Sequence, residues 1–163
     1  MTTNQSSIED IIRATSFAAE LTEEQCAELA KIATLRHLTN GETLIQEGRF
    51  DNSVHVLIRG HLAVIKETDG GHEEQLHILK PGEIAGAMGF IDGMEHSATL
   101  RSDGETDVFS IEREKLESLL NSHPLLVYRV MRAIMRSVHA IVRRMNNQYV
   151  QMTNYITKQH GRY

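Results

Sequence analysis

From Leu125 to His160 the chain carries neither proline nor glycine, and Pro124 stands immediately before that run. Proline suits the first position of a helix, where its missing N–H would have had no partner. The pattern predicts one helix from Pro124 to about Ile156, roughly 50 Å long at 1.5 Å per residue. Such a rod outreaches a small domain, so part of it must pack against something other than the body it leaves. Apolar residues recur along it at Val130, Ile134, Val138, Ile141, Met145, Tyr149, Met152 and Ile156, in steps of three or four that repeat every eleven residues. That repeat predicts a nearly straight or slightly right-handed pairing. The natural partner is a second copy of the same helix in a two-fold homodimer. Val130, Ile134, Val138, Ile141, Met145, Tyr149 and Met152 are the candidate interface.

Upstream of Pro124 the texture differs. Ser7 to Arg13 reads as a short helix capped by Ser7, and Thr22-Glu23-Glu24-Gln25 is a capping box opening a second helix. The middle is β-rich: Val54–Ile58 and Leu62–Ile65 are strand-like runs around Arg59-Gly60-His61. Further strands are expected near 33–38, 42–47, 74–79, 97–102 and 106–111. Asn40-Gly41, Asp69-Gly70-Gly71 and Asp103-Gly104 are turn signals between them. A helix is expected over Glu112–Asn121. Short strands so closely spaced argue for an antiparallel sandwich or roll. The fold class is α+β, mainly β, with residues 1–123 forming the body and residues 124–163 the basic helix and tail.

Composition narrows the function. Of 163 residues, 40% are hydrophobic and 24% charged, a globular balance. No run approaches the ~18 apolar residues that span a bilayer, and the polar opening MTTNQSSIED is no secretory signal. One cysteine, Cys26, excludes an internal disulfide and makes a cytoplasmic location the default; its apolar neighbours predict a buried thiol. Net charge is −5, yet from Ser118 onward there is no acid and seven of the 17 Lys and Arg residues. That basic helix either pairs with the acidic body or serves an acidic partner. A net negative chain with few aromatics and no recognition motif disfavours nucleic acid. Nine histidines invite a metal, but no Cys or carboxylate group accompanies them at ligand spacing, and His72 and His77 fall on opposite faces of a strand. No Ser-His-Asp or paired-carboxylate set can be placed in one site, so no catalytic residue is assigned.

The segment Pro81–Ser102, PGEIAGAMGFIDGMEHSATLRS, carries the functional signal. Gly82, Gly86 and Gly89 let a ligand approach the main chain. Ala87 to Ile91 can form one helical turn whose free N–H groups face an anion. Ser97, Ala98 and Thr99 then lead into a strand.

This segment resembles the phosphate-binding cassette of the cyclic-nucleotide-binding domains, the family of the bacterial catabolite activator and of kinase regulatory subunits. The family pattern is Gly-Glu, five to eight residues, then Arg-x-Ala-(Thr); Gly86, Gly93, Ser97, Ala98 and Thr99 fall on it. The resemblance extends over roughly Phe17 to Met145 through Asn40-Gly41-Glu42-Thr43-Leu44-Ile45, Glu47-Gly48 and Val56-Leu57-Ile58-Arg59-Gly60. It implies N-terminal helices, an eight-stranded jelly-roll-like β-roll, a hinge helix and a dimerisation helix. It also implies a pocket for cyclic AMP, cyclic GMP or another anionic nucleotide, made of Gly82, Glu83, Gly86, Ala87, Met88, His96, Ser97, Ala98 and Thr99.

Two family anchors are missing. The glutamate that binds the ribose hydroxyl is Ala87, and the arginine that pairs with the phosphate is His96. Charge-assisted bonds of that kind contribute about 1.5–3 kcal/mol each, so ordinary cyclic nucleotides should bind weakly. Glu83 could accept a ribose hydroxyl, although a solvated turn residue is the default reading, and Arg101 is by default a solvated strand arginine, its alternative place being the pocket mouth. Ile141 and Val142 stand where the family caps the base with polar groups. Family transcription factors continue into a winged helix-turn-helix, and no DNA-binding domain is expected before Tyr163. The expected function is non-enzymatic: a homodimeric ligand sensor. The alternative is a dimeric protein-interaction scaffold whose cavity is plugged by Met88, Met94 and His96.

Overall fold

Alternation along two central strands divides the molecule into two cores. A computed structural model describes residues 2–160, in the order α1 (Thr2–Arg13), a 3-10 turn (Ser16–Ala18), α2 (Glu23–Ile32), β1 (Ala33–Leu38), β2 (Thr43–Ile45), β3 (Ser53–Glu67), β4 (Glu73–Leu79), β5 (Ile84–Ala85), α3 (Ala87–Asp92), β6 (Thr99–Glu112), α4 (Arg113–Glu117) and α5 (Pro124–His160). Successive strand residues face opposite ways. Val54, Val56, Phe109 and Ile111 face the helices, where they pack with Ile12, Phe17, Leu29, Leu116, Leu126, Val130 and Ile134. Leu57 and Val108 face inward and close the roll with Leu38, Leu44, Leu62, Leu79 and Leu100. Phe17 meets Phe109 edge to face at 5.8 Å. Each such fully buried side chain contributes about 1.5–3 kcal/mol.

All strand pairs are antiparallel, in the order β1-β6-β3-β4, with β2 on β6 and β5 on β3. The sheet has six strands where the resemblance implies eight. The reason is continuity: β3 passes through Arg59-Gly60-His61 and β6 through Asp103-Gly104, so each does the work of two. Register shifts at Leu57/Arg59 and Arg59/His61 supply the bends. Asp103-Gly104 is therefore a kink within a strand and not a turn between strands.

Other boundaries move for local reasons. Ser7 lies inside α1 and does not cap it. The strand expected at 42–47 shrinks to Thr43–Ile45, that at 97–102 begins at Thr99, and the helix expected to Asn121 stops at Glu117. Thr22 caps α2 as expected: its hydroxyl accepts from the Gln25 N–H at 3.2 Å and the Gln25 side chain accepts from the Thr22 N–H at 3.1 Å. Cys26 is free and buried, and burial pushes its thiol pKa up. No described helix is long and apolar enough to cross a membrane.

The long helix corrects the interface assignment. Val130 and Ile134 are buried in the domain's own core, Val138 packs against that core, and Ile141 lines a cavity. None of these first four presents an open face like that of Met145, Tyr149 and Met152, which are all exposed, as are Met135 and Val142. The exposed apolar positions Met135, Val142, Met145, Tyr149 and Met152 follow one another in steps of seven, three, four and three. That is a heptad, the signature of left-handed pairing, and not the eleven-residue repeat. The error arose because one helix carries two apolar seams, and the sequence alone merges them.

Candidate functional site

The cassette opens where β5 ends. Gly86 precedes α3 with φ +78°, and a Cβ there would stand 2.9 Å from the Ser53 carbonyl oxygen, so only glycine fits. One helical turn, α3, follows as expected. Ala87 and Phe90 anchor it in the helical core, while Met88 (56% exposed), at the edge of the cavity beside it, and Met94 (63%) are largely exposed. Arg113 reaches the far end of α3, its guanidinium donating to the Phe90 carbonyl at 3.4 Å.

A cavity of about 270 Å³ lies between this turn, the Glu95–Ala98 return and α5. Of the nine expected ligand residues, Gly86, Ala87, Met88, His96, Ser97 and Ala98 line it together. Gly82, Glu83 and Thr99 do not. Gly82 and Glu83 face a separate cleft against α5 and the 3-10 turn. Glu83 accepts from the Lys80 N–H at 2.8 Å and stands 3.8 Å from both Arg144 and His77, so it is not a substitute ribose acceptor. Thr99 is a structural tie whose hydroxyl accepts from the Glu47 N–H at 3.0 Å. The sequence reading missed Asp92 and Glu95, which bring two carboxylates to the rim; Gly89, read as a point of close approach, lines the cavity too. Ile141 joins them from α5, at the position read as the base cap.

His96 is the centre of this cavity. It is 8% exposed, and its Nε2 is the one buried side-chain nitrogen or oxygen among the described residues without a hydrogen-bond partner. Such an orphan costs roughly 1–3 kcal/mol unless something meets it. Its backbone is held on both sides: His96 N donates to the Arg49 carbonyl at 3.0 Å, and its carbonyl accepts from Gly48 N at 2.9 Å. Lys66 fastens the same junction, bonding the Glu47 carboxylate and the Ser97 carbonyl. The Lys66 hydrogen bond and the Glu67 amide hold the Glu47 carboxyl below the ordinary carboxylate range.

The structure does bring a Ser-His-Asp set together, behind the cassette. Asp51 Oδ2 accepts from His55 Nε2 at 2.8 Å, which leaves Nδ1 to take the Ser110 hydroxyl at 2.6 Å. Burial pushes the Asp51 carboxyl up, but the hydrogen bond and charge of His55 and the Ser53 amide outweigh it and leave it below the usual range. Ser110 sits mid-strand between Thr34 of β1 and His55 of β3. Its amide belongs to the ladder and is not free to hold an oxyanion. The trio works as a buried polar tie.

Known proteins place this geometry. A family model described as the cyclic nucleotide-binding domain matches residues 35–123, more than half of the chain. The chain belongs to the cyclic nucleotide-binding domain family. It is 26% identical over 106 residues to the cAMP-activated global transcriptional regulator CRP of Salmonella typhimurium, covering 64% of this chain and 50% of that protein. It is also 26% identical over 134 residues to the neuropathy target esterase sws of Drosophila grimshawi, covering 76% of this chain but 9% of that protein. A solved cyclic nucleotide-binding domain from Methylobacillus flagellatus matches with a TM-score of 0.79 at 22% identity, over 91% of this chain and 83% of that one. The chain thus spans half the length of the regulator and about a tenth of the esterase. The family is a regulatory one, and the esterase match reaches only the binding-domain part.

As a cyclic nucleotide-binding domain, this one has spent its basic residues internally. On α5, Arg129 donates to Gln25 at 2.7 Å, Arg132 and Arg136 meet Glu20, and Arg144 meets Glu83 and His77. These four arginines of the acid-free helix therefore meet groups of the acidic body. Arg101 is held by Glu73 at 2.8 and 3.0 Å across the strands and does not line the cavity. His72 lies in the turn before β4, so the two-face reading of His72 and His77 does not apply. Among the described residues no cluster of three metal-ligating side chains could hold an ion.

Proposed function

We propose that this chain is a regulatory ligand-sensing domain acting as a homodimer, and that its cassette takes a phosphate-free, donor-rich molecule of the nucleoside class in preference to cyclic AMP or cyclic GMP. The observation that carries this reading is the charge of the cavity: Asp92 and Glu95 line it, and no lysine or arginine does.

A cyclic phosphate entering here loses the guanidinium contact, about 1.5–3 kcal/mol. It also approaches two carboxylates, whose repulsion across solvent is about 1 kcal/mol each at 4 Å. The lost arginine is the larger effect, and both act in the same direction. A nucleoside has hydroxyl and amino donors that suit the carboxylates, the Ser97 hydroxyl and the open Nε2 of His96. Of the three side chains of the plugged-scaffold alternative, Met88 and Met94 are exposed and only His96 is buried against the cavity.

Dimerisation rests on the exposed heptad of α5. Met145, Tyr149 and Met152 lie beyond the part of the helix that the body covers. A self-matching a/d seam of this kind is satisfied by a second copy. Because Ile141 lines the cavity and Val142 lies on the seam, occupancy and pairing meet on adjacent residues.

Calorimetry with adenosine, guanosine, cyclic AMP and cyclic GMP tests the ligand reading. A saturable heat from a nucleoside, with weaker binding of both cyclic nucleotides, is expected. Tighter binding of a cyclic nucleotide, or no heat from any of the four at millimolar concentration, overturns it.

A further inference from the structure

We propose that the groove between β1, β2 and the loop from Glu47 to Asn52 is a second small-molecule site, for a compact organic anion with a planar ring, and that its ligand and the cassette share the His96 imidazole. This inference does not rest on the nucleoside reading of the cassette.

The groove is the larger of the two cavities His96 lines, at about 560 Å³. Its charge is opposite to that of the cassette cavity. Arg36 and Arg49 line it, while its one carboxylate, Asp51, is already engaged by His55 and the Ser53 amide. Arg36 is drawn to Glu42 at 3.2 Å, and Arg49 is exposed at the rim. A guanidinium offers a flat, two-pronged donor set that fits carboxylate and phosphate oxygens.

Shape and polarity agree. Phe50 stands at the mouth, 67% exposed, and offers a ring face on which a flat partner can stack. Leu44 and Ile45 give an apolar wall, and buried His55 and Ser110 give a polar floor already fixed by their own hydrogen bonds. A further sign is His96, 8% exposed, which lines this groove as well as the cassette and whose buried Nε2 has no hydrogen-bond partner.

Coupling follows from covalent neighbours. Arg49 and Gly48 hold the His96 backbone through both hydrogen bonds of that residue. A ligand that draws Arg49 toward itself moves the segment that positions the imidazole. Binding in either cavity then alters affinity in the other, by the same factor in both directions.

The experiment uses the full chain, labelled for amide and histidine-ring NMR, with phenyl phosphate and benzoate as probes. Inorganic phosphate and phenol are controls that each lack one half of the recognition. Saturable shifts in residues 34–55 and in the His96 ring are expected with at least one probe and with neither control. Arg49→Ala should weaken that binding about tenfold, and Phe50→Ala about threefold; both residues are exposed, so melting should not change. Ile141→Trp fills the cassette cavity and should change the groove's affinity through the shared His96 while leaving saturable binding there. Shifts confined to residues 86–98, shifts insensitive to Arg49→Ala, or no saturable shift at millimolar probe would each overturn the proposal.

Discussion

The Cε1 edge of the His96 imidazole abuts Gly89: a methyl built on that glycine would stand 2.6 Å from Cε1 and 3.1 Å from Nε2. The two residues are close in sequence but meet only because α3 turns the chain back on itself. Gly89→Ala should therefore expel the ring despite alanine's helix preference of about 1 kcal/mol over glycine. Overpacking of this kind destabilises by about 1–3 kcal/mol. A lowered midpoint in urea, with loss of nucleoside binding, is the expected result; an unchanged midpoint and unchanged affinity would show that the ring moves freely.

Restoring the family's anchors should reverse the ligand preference. In the double variant Ala87→Glu, His96→Arg, two charge-assisted contacts return, together about 3–6 kcal/mol, or roughly a hundred- to ten-thousandfold tighter cyclic AMP binding. Calorimetry on the double and single variants measures it. No gain in either would mean that the cavity wall, and not the missing charges, excludes the phosphate.

His55→Ala should destabilise the fold strongly. The substitution strands Ser110 and Asp51, each at roughly 1–3 kcal/mol, and leaves a void inside the roll. Equilibrium unfolding checks it, with Ser110→Ala as the milder comparison because that change removes one hydroxyl and no ring. Equal losses from both would contradict a network centred on the imidazole.

A pH effect follows from the surface set of His37, Asp107 and Glu105. Hydrogen bonds that His37 donates to Asp107, at 2.6 Å, and to Glu105, at 2.6 Å, raise its pKa above the ordinary value. A group whose folded pKa is raised stabilises the fold fully below the unfolded value of about 6.5, and that contribution disappears as pH rises through the folded value. Stability of the wild-type chain relative to His37→Gln should therefore shrink from below pH 6.5 upward. A constant difference across that range would exclude the linkage.

Met145→Glu combined with Tyr149→Glu should give a monomer in sedimentation velocity without lowering thermal stability of the body, since both side chains project beyond it. Val130→Glu, by contrast, should unfold the domain, because that residue is 1% exposed in the core. If both variants behave alike, the helix has no separate outward seam.

What the sequence made legible was whatever is written locally. The Thr22 capping box, the helix starting at Pro124, the turn of α3 and the alternation of Val54 to Leu57 all depend on near neighbours, and each formed where expected. The pocket was legible only in part. Glu83 and Thr99 belong to the motif by position, but long-range partners, Arg144 and Glu47, claim them. Asp92 and Glu95 carry no family signature, so nothing short of the folded return of residues 94–98 could place them at the rim. The two apolar seams of α5 separated only once the body was seen to cover one. The Ser110–His55–Asp51 tie spans residues 51 to 110 and exists only through the register that sets His55 opposite Ser110.

The ladder between β3 and β6 runs from Ser53 opposite Glu112 to Ile65 opposite Thr99, so the whole cassette is an excursion closed at its neck by two paired strands. Ala87 and His96 both lie in the excursion, outside the paired residues of that ladder. A lineage can exchange an arginine for an imidazole, or a glutamate for a methyl, and test new chemistry without risking the scaffold. Grafting a foreign cassette between Glu67 and Thr99 would repeat that history in one step.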